Sequence, residues 1–486
     1  MKSEFRVNKI ENGLARQSVE AIVWKSGSHI IQIVILFFGS VILANLLTPE
    51  VFGTYTLVKS IVTFTQSIPA FGLGTAYINR SRESNHVDAI GVHFTLTLIF
   101  TSVWAFLLVG ASFIFRGRVD PILSALVLTT FVFQSTASAR GEMIKRLSFQ
   151  RPAVVEMSQA LLGVMIAIHL ARIGGGIWSL LSIDIVTAIV SVIGYYLIKP
   201  VWKPRIAWSR SIVRYYLSFG WRVVWAGVLN QALDKLDEIW TGLFLGDRLL
   251  GFYSRAYTFA NYPRKALITP IFQITVGLYA KVKDDWIKLS NVFVVVNSLV
   301  VQGSFLISGS LIIIAPEFVT LALGEAWLPM LEVFQIMIVY IMLDPIRITV
   351  GNMFPAIGEP GELVKPRFIQ LGVLVMCLPL LGSIFGIKGV AMSANIMVLA
   401  GTVMNLINAK KKVDYSLVDL FAIPFIAITL GLIITFTIIN WFGDPGLSWR
   451  SGIVKLAIFI PLYLGMLLGF KWKLYRGILK MIRQKA

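Results

Sequence analysis

Charged residues and cysteine are both scarce in this sequence of 486 residues. Only 14% of the residues are charged, whereas 56% are hydrophobic and the mean hydropathy is +0.77. A soluble domain of this length would lack enough polar surface to face water, so the composition excludes a soluble globular protein. The one cysteine, Cys377, cannot form an internal disulfide and is interpreted as a small buried hydrophobic residue. The chain is therefore predicted to be an all-α, polytopic integral membrane protein.

Extended loops and catalytic motifs are also lacking. No connection between apolar segments is long enough to fold by itself, which excludes a soluble catalytic domain on either side of the membrane. The sequence contains no HExxH, Walker or GxSxG motif and no cysteine–histidine set. We therefore expect a protein that is not an enzyme, that needs no cofactor, and whose function lies within the helix bundle.

Long apolar segments dominate what is present. The polar start, MKSEFRVNKIENGLARQSVE, lacks the layout of a cleavable signal peptide, so the first span is expected to act as an uncleaved insertion signal. A membrane-spanning helix needs about 20 mostly apolar residues. Fourteen candidate segments are found: 21–47, 52–78, 89–115, 121–138, 153–170, 177–198, 216–244, 251–280, 287–315, 328–354, 366–386, 387–409, 417–441 and 451–470.

The loops between these segments alternate in positive charge. With the N-terminus inside, the cytoplasmic loops and tails carry 29 Lys and Arg residues and the outer loops carry 6. This asymmetry predicts an even number of spans in the plasma membrane, with both termini in the cytoplasm. The net charge of +19 is then mainly a topology signal, and no nucleic-acid partner is expected because the basic residues are spread over many short loops.

Two segments of the chain resemble each other. NLLTPEVFGTY (45–55) aligns with LFLGDRLLGFY (243–253) at an offset of 198 residues, which pairs Gly53 with Gly251. Such a repeat predicts two like-oriented lobes related by a pseudo-two-fold axis along the membrane normal, with a central cavity between them. The predicted domains are an N-lobe (1–198, helices 1–6), a cytoplasmic linker (199–215), a C-lobe (216–409, helices 7–12), and helices 13 and 14 with a basic tail (410–486).

Nine basic residues fall inside the apolar segments rather than in loops. Residues of this kind usually face a bundle interior or a watery cavity and suggest function. They are Lys25, Lys59, Arg222, Lys235, Arg255, Arg264, Lys265, Arg347 and Lys455. Helical spacing places polar residues on one face of three helices: Lys25, His29 and Gln32; Lys59, Thr63 and Gln66; and Arg222, Asn230, Asp234 and Asp237.

Structural explanations compete with a cavity at several of these positions. Lys25 and Arg255 lie near helix ends, where a long side chain can reach the membrane interface. Lys455 is interpreted as an interfacial anchor, and His29 as a packing residue. Two i, i+3 pairs could be structural ion pairs: Lys235 with Glu238, and Asp344 with Arg347.

A mostly cationic cavity suits an anionic substrate such as a phosphate or pyrophosphate, because fixed Lys and Arg replace its lost hydration. The candidate substrate-binding residues are Lys25, Lys59, Arg222, Arg255, Arg264, Lys265, Gln32, Gln66 and Asn230. Three acidic residues in the same region, Asp234, Asp237 and Glu238, are candidates for binding H+ or Na+ and coupling transport to an ion gradient.

Several strings resemble the polysaccharide repeat-unit flippases (Wzx type) of the multidrug/oligosaccharidyl-lipid/polysaccharide exporter superfamily. They are LLTPEVFGTY (46–55), LSFGWRVV (217–224), LDEIWTGLFLGDRLLGFYSRAYTFANYP (236–263) and LALGEAWLP (321–329). The resemblance implies fourteen helices in two six-helix lobes, which form a V around a cationic cavity. It also implies alternating access that carries a polyprenyl-pyrophosphate-linked oligosaccharide to the outer leaflet. Asp237 and Arg255 match positions at which such proteins often carry the same residue.

The sequence departs from the family near the outer end of helix 1. Where many relatives carry a basic and an acidic residue, this chain has Asn45 and Val51, so a substrate role at that spot is not expected. Gly72, Gly74 and Pro69 at the inner end of helix 2, and Pro263 and Pro270 in helix 8, are candidate bending points for the motion of the lobes.

The sequence thus favours a flippase for a lipid-linked oligosaccharide in cell-surface polysaccharide export. Expected partners are this substrate and membrane lipids; the protein is expected to be a monomer, and an association with polysaccharide assembly proteins is left open. Two alternatives remain: a cation-coupled multidrug exporter of the same fold, and a membrane-embedded polysaccharide polymerase or ligase. The exporter's cavity should be acidic or aromatic. Without Lys455, the intramembrane set has eight basic residues against four acidic ones, Asp234, Asp237, Glu238 and Asp344.

Overall fold

The computed structural model describes residues 24, 26–80, 86–115, 120–146, 148–442 and 446–483. Within these ranges nearly every residue is helical and none lies in a β-strand, which confirms the predicted all-α fold. The chain forms two compact units, and the division lies between Gly251 and Phe252. This division does not test the predicted linker between lobes at 199–215, which stays a prediction.

The described residues of the first unit form ten α-helices and the first turn of an eleventh. They are α1 (Ser26–Leu46), α2 (Pro49–Thr65), α3 (Ser67–Ala70), α4 (Leu73–Asn79), α5 (His86–Phe115), α6 (Asp120–Ser135), α7 (Ala137–Lys145), α8 (Gln150–Arg172), α9 (Ile177–Val192) and α10 (Arg210–Phe244). A π-helical turn, Ile193–Leu197, extends α9.

The second unit contains the rest of α11 (Asp247–Val282) and six further helices. These are α12 (Trp286–Glu317), α13 (Leu331–Ala356), α14 (Val364–Phe385), α15 (Ile387–Lys410), α16 (Leu417–Phe442) and α17 (Trp449–Arg483). The segment between α12 and α13 is a π-helical turn, Phe318–Leu323, followed by a 3-10 helix, Glu325–Met330.

Eleven helical segments among the described residues are long and apolar enough to cross a membrane. Large apolar side chains such as Phe106 and Met376 lie on the outside, which suits contact with lipid. The three remaining predicted spans correspond to α2–α4, α10 and α11, which are either interrupted or rich in charge. The protein is therefore a multi-pass membrane protein, while the count of fourteen spans stays a prediction. Cys377 is half-buried in α14 rather than buried as expected.

The core of the first unit holds α2 against α5, α6 and α9. Val58 and Val62 of α2 are buried with Trp104, Leu126 and Leu181 from those three helices. This packing orients α2, and it turns the neighbouring polar residues of α2 toward α9 and α10. In the second unit a larger apolar cluster joins α12, α13, α15, α16 and α17, and it fixes the position of α13.

Helix α2 begins sharply and meets the start of α11 at two glycines. Pro49 is the first residue of α2, where its fixed φ suits the helix and its missing N–H is no loss. A Cβ atom on Gly53 would overlap the backbone carbonyl of Asp247, and a Cβ on Gly251 would overlap that of Pro49. Only glycine lets the two backbones approach this closely.

This crossing is symmetric with respect to the sequence repeat. The offset of 198 residues that aligns the two segments relates Gly53 to Gly251 and Pro49 to Asp247. It therefore converts the contact of Gly53 with Asp247 into the contact of Gly251 with Pro49. Glu50 and Arg248 are related by the same offset, and they form an ion pair across the crossing at 3.1 Å. The two aligned segments therefore meet around a local two-fold axis.

The predicted second span is interrupted rather than continuous. Phe71 and Gly72 both have positive φ, at 39° and 60°, which ends α3 and starts α4 in a new direction. Gly220 of α10 lies against the carbonyl of Phe71, where any side chain would clash. The helix is thus interrupted at Gly72, one of the predicted bending points, whereas α11 runs through both Pro263 and Pro270 as one helix. A role of these positions in lobe motion stays a prediction.

Candidate functional site

Lys59 of α2 is paired with a carboxylate of α9. Its Nζ atom contacts Oδ1 of Asp184, and the hydroxyl of Tyr55 donates a hydrogen bond to Oδ2 of the same side chain at 2.7 Å. Tyr55 and Lys59 are four residues apart, so they lie on one face of α2 and approach Asp184 together. Both carboxylate oxygens of Asp184 are therefore engaged by α2.

Asp184 is not among the site residues predicted from the sequence, although its position in an apolar segment indicates it. It is the only ionisable residue in IWSLLSIDIVTAIVSV, the sequence of α9. An acidic residue in such a segment suggests function for the same reason that a basic one does. No intramembrane Lys or Arg lies near Asp184 in the sequence, so the basic residues of the apolar segments do not point to it.

The next residue of α2, Ser60, contacts the acidic end of α10. Its hydroxyl donates to Oε2 of Glu238, and Lys235 Nζ lies 2.8 Å from the same oxygen. The predicted Lys235–Glu238 ion pair is thus confirmed. Asp237 and Glu238 are each only 6% exposed, and Oδ1 of Asp237 accepts a hydrogen bond from the backbone N–H of Glu238 at 2.8 Å.

The polar face predicted on α10 is divided between its surface and its interior. Arg222, Asn230 and Asp234 are exposed on α10, whereas Asp237 is buried. An exposed row with Arg, Asn and Asp on a helix of 35 residues is unsuited to lipid, so this face is suited to water.

The second unit holds a carboxylate between two arginines. Asp344 of α13 is fully buried, with Oδ2 bound by Nη1 of Arg264 from α11. Its other oxygen, Oδ1, is bound by Arg347 through Nε at 2.8 Å and Nη2 at 2.6 Å. The guanidinium of Arg264 also lies 5.6 Å from the ring centre of Tyr340, in cation–π geometry. The predicted Asp344–Arg347 ion pair is confirmed, and Arg264 joins it.

Two further predicted cations share α11 with Arg264. Arg255 is half-buried and Lys265 is exposed. Lys455, interpreted above as an interfacial anchor, instead lies 2.6 Å from Oε1 of Glu317 on α12, which is fully buried. That interpretation is corrected, because a buried carboxylate needs a nearby cation and Lys455 supplies it.

The remaining predicted residues lie elsewhere in the first unit. Gln32 of α1 is 3.4 Å from Oε2 of Glu156 on α8, and Gln66 is half-buried at the end of α2. His29 is half-buried on α1. Lys25 lies outside the described residues.

The site residues of the two units differ in charge, although each unit as a whole carries more Lys and Arg than Asp and Glu. Among the described site residues, the first unit has three cations, Lys59, Arg222 and Lys235, and four carboxylates, Asp184, Asp234, Asp237 and Glu238. The second unit has four cations, Arg255, Arg264, Lys265 and Arg347, and one carboxylate, Asp344. Carboxylates therefore outnumber cations in the first set, and cations outnumber carboxylates in the second.

The sequence is similar to polysaccharide biosynthesis proteins. A family profile with that description matches residues 42–332, more than half of the chain. The lipopolysaccharide biosynthesis protein WzxC of Escherichia coli (strain K12) is 22% identical over 397 residues, which cover 81% of this chain and 80% of the relative. The succinoglycan biosynthesis transport protein ExoT of Rhizobium meliloti (strain 1021) is 27% identical over 253 residues, 50% of each chain.

The fold is shared with solved membrane transporters. The lipid II flippase MurJ in an inward closed conformation matches with a TM-score of 0.75 at 14% identity, over 93% of this chain and 99% of that one. An inward-facing multidrug resistance MATE family transporter of the MOP superfamily matches with a TM-score of 0.59 at 16% identity, over 80% and 98%. These matches confirm the predicted fold class.

Proposed function

Because the chain belongs to the polysaccharide biosynthesis protein family, we propose that it is a flippase for a polyprenyl-pyrophosphate-linked oligosaccharide. The protein carries this substrate by alternating access from the cytoplasmic to the outer leaflet of the cell membrane, for export of surface polysaccharide. The names of its relatives as transport and biosynthesis proteins support a role in translocation rather than catalysis.

The cluster of two guanidiniums on one carboxylate in the second unit is the observation that carries this proposal. Arg264 and Arg347 both bind Asp344, and Arg255 and Lys265 lie on the same helix as Arg264. Fixed cations in a low-dielectric environment are costly unless an anion compensates them. A pyrophosphate supplies that compensation, and the cations in turn replace its hydration shell.

In this proposal the substrate is bound by the residues predicted from the sequence. The cationic and amide side chains are Lys25, Lys59, Arg222, Arg255, Arg264, Lys265, Gln32, Gln66 and Asn230. The exposed polar face of α10, with Arg222 and Asn230, supports contact with a hydrated sugar. Lys59 must exchange its partner Asp184 for the substrate if it binds the pyrophosphate.

The carboxylates of the first unit are proposed to couple transport to H+ or Na+. Asp237 and Glu238 are buried, so a bound cation or proton would remove part of the cost of their charge. Asp234 is exposed one turn earlier on α10 and gives water access to the same region.

The two-lobe arrangement is also a proposal, with lobes at 1–198 and 216–409 and a linker at 199–215. The local two-fold symmetry of the contact between Gly53 and Asp247 and that between Gly251 and Pro49 supports a duplicated origin for these segments. Rocking of such repeated halves against each other is one way to achieve alternating access.

Both termini are proposed to lie in the cytoplasm, as the distribution of Lys and Arg in the loops favours.

A cation-coupled multidrug exporter is the second candidate, and the four carboxylates among the site residues of the first unit favour it. Such an exporter binds cationic drugs, which the four cations of the second unit would repel. The lower structural similarity to the multidrug transporter, with a TM-score of 0.59 against 0.75, gives it less support.

Replacing Arg264 or Arg222 with Ala tests the flippase proposal. The measurement is the rate at which a fluorescent, diphosphate-linked lipid oligosaccharide moves from one leaflet of proteoliposomes to the other. This rate should fall at least about tenfold, since one charged hydrogen bond is worth about 1.5–3 kcal/mol. Asp344 keeps its contact with Arg347 in the Arg264→Ala variant, so the fold should persist. The matched control is Arg172→Ala, an exposed arginine at the end of α8. Wild-type transport by both site variants would refute the pyrophosphate assignment, and transport of a cationic drug instead would favour the exporter.

A further inference from the structure

Arg347 is a second cation on a buried carboxylate that already has one, which a purely structural ion pair does not require. Asp344 is already paired with Arg264, yet Arg347 contributes a second guanidinium to the same carboxylate. One cation is enough to compensate one buried carboxylate, and a second leaves the cluster with a net charge of +1. The buried pair of Glu317 with Lys455 in the same unit shows the simpler arrangement, with one cation for one carboxylate.

The accessible side of this cluster is the cationic side. Asp344 is 0% exposed, whereas the side chains of Arg264 and Arg347 are 14% and 22% exposed. Both oxygens of Asp344 are occupied by guanidinium nitrogens. An anion that approaches from outside the cluster therefore meets guanidinium groups before it meets the carboxylate.

Donors for such an anion are present and fixed in position. A guanidinium has five N–H groups, and Arg347 directs Nε and Nη2 at Asp344. Contacts around the cluster hold its geometry: the side chain of Asn405 donates to the backbone carbonyl of Arg347 at 3.1 Å, and Arg264 lies over the ring of Tyr340. Donors held in place before binding lose little conformational freedom when an anion arrives.

We propose that Arg347 acts with Arg264 as a paired ligand for the diphosphate of the substrate, with Asp344 as the counter-ion that sets the two guanidiniums side by side. Two planar guanidiniums can each bind one phosphoryl group through two hydrogen bonds, which suits a diphosphate and not a monophosphate. Arg347 is thus a binding residue in addition to those predicted from the sequence. The inference rests on the proposed flippase function and deepens it, because it locates the headgroup within the second unit.

The test compares two lipid probes on the purified full-length protein in detergent. Farnesyl diphosphate and farnesyl monophosphate are titrated against wild type and against Arg347→Gln, and the ratio of the two dissociation constants gives the selectivity. We expect wild type to prefer the diphosphate at least about tenfold, and Arg347→Gln to lose most of that preference. Arg347→Lys should regain only part of it, because an ammonium cannot form the two parallel hydrogen bonds.

Two further variants separate binding from structure. Lys455→Gln removes a cation from the other buried ion pair of the unit; it should lower thermal stability and leave the selectivity unchanged. If Arg347→Gln does not fold, Asp344→Asn with Arg347→Gln removes both opposite charges of that pair while Arg264 stays, and the preference for diphosphate should still be lost.

The outcomes are distinguishable. Unchanged selectivity in Arg347→Gln, or in the double variant, overturns the paired-ligand inference and leaves the flippase proposal intact. Equal loss of affinity for both probes also overturns it, since that result indicates a structural role. Failure of the wild-type protein to bind farnesyl diphosphate at all refutes the proposed function itself.

Discussion

At the scale of single residues, the Lys59–Asp184 ion pair ties α2 to α9 in the first unit. A double-mutant cycle with Lys59→Gln, Asp184→Asn and both together should give a coupling free energy of about 1–2 kcal/mol, less than a fully buried pair because Lys59 is partly exposed. The measurement is denaturation in mixed micelles. Lys410–Asp414, an exposed pair at 2.9 Å, is the control, and its coupling should be clearly smaller because water and salt screen it. Equal coupling in the two cycles would contradict a stabilising role for Asp184.

The basic residues of the site could be predicted from the sequence, but their partners could not. A Lys or Arg in an apolar segment is visible in the sequence, and a partner three residues away, such as Glu238 for Lys235, follows from helix geometry. Asp184 lies 125 residues from Lys59, and Asp344 lies 80 residues from Arg264. These contacts depend on which helix packs against which, and periodicity within one helix carries no information about that.

At the scale of elements, the two glycines at the crossing of α2 and α11 control how closely these helices approach. Gly53→Ala and Gly251→Ala should each destabilise the protein by about 1–3 kcal/mol, because each new Cβ meets a backbone carbonyl that cannot rotate away, that of Asp247 or of Pro49. The readout is the thermal unfolding midpoint in detergent. Gly110→Ala in α5 is the control, since no other atom lies within 4 Å of the new methyl group and stability should be unchanged or slightly higher. A similar midpoint for all three variants would contradict the close crossing.

Most helices could be predicted from apolar segments of about 20 residues, and the interruption of the second span could be predicted in part. Gly72 was a candidate bending point because glycine tolerates positive φ. Phe71 also has positive φ, at 39°, which no local rule predicts for phenylalanine. Its backbone lies against Gly220 of α10, about 150 residues further along the chain, so this conformation depends on tertiary packing.

At the scale of the whole molecule, the fold class and family could be predicted, while the distribution of charge could not. Strings such as LDEIWTG (236–242) and their order along the chain indicate the family. The sequence predicts one mostly cationic cavity, whereas four of the five carboxylates among the described site residues lie in the first unit and four of the seven cations lie in the second. One of those carboxylates, Asp184, contacts Lys59 only through tertiary packing, which the sequence pattern does not predict.

The proposed coupling carboxylates of α10 and the proposed diphosphate ligands around Asp344 belong to different units. If the buried Asp237 binds the coupling ion, Asp237→Asn should abolish the response of transport to an imposed H+ or Na+ gradient in proteoliposomes, because an amide carries no charge to be compensated. Farnesyl diphosphate binding without a gradient should stay within about twofold of wild type, since the cationic cluster around Asp344 is untouched. Asp285→Asn is the matched control, because asparagine can replace aspartate as the N-cap of α12. A normal gradient response in Asp237→Asn would remove this residue from the coupling mechanism and leave Glu238 and Asp234 as the carboxylates to vary next.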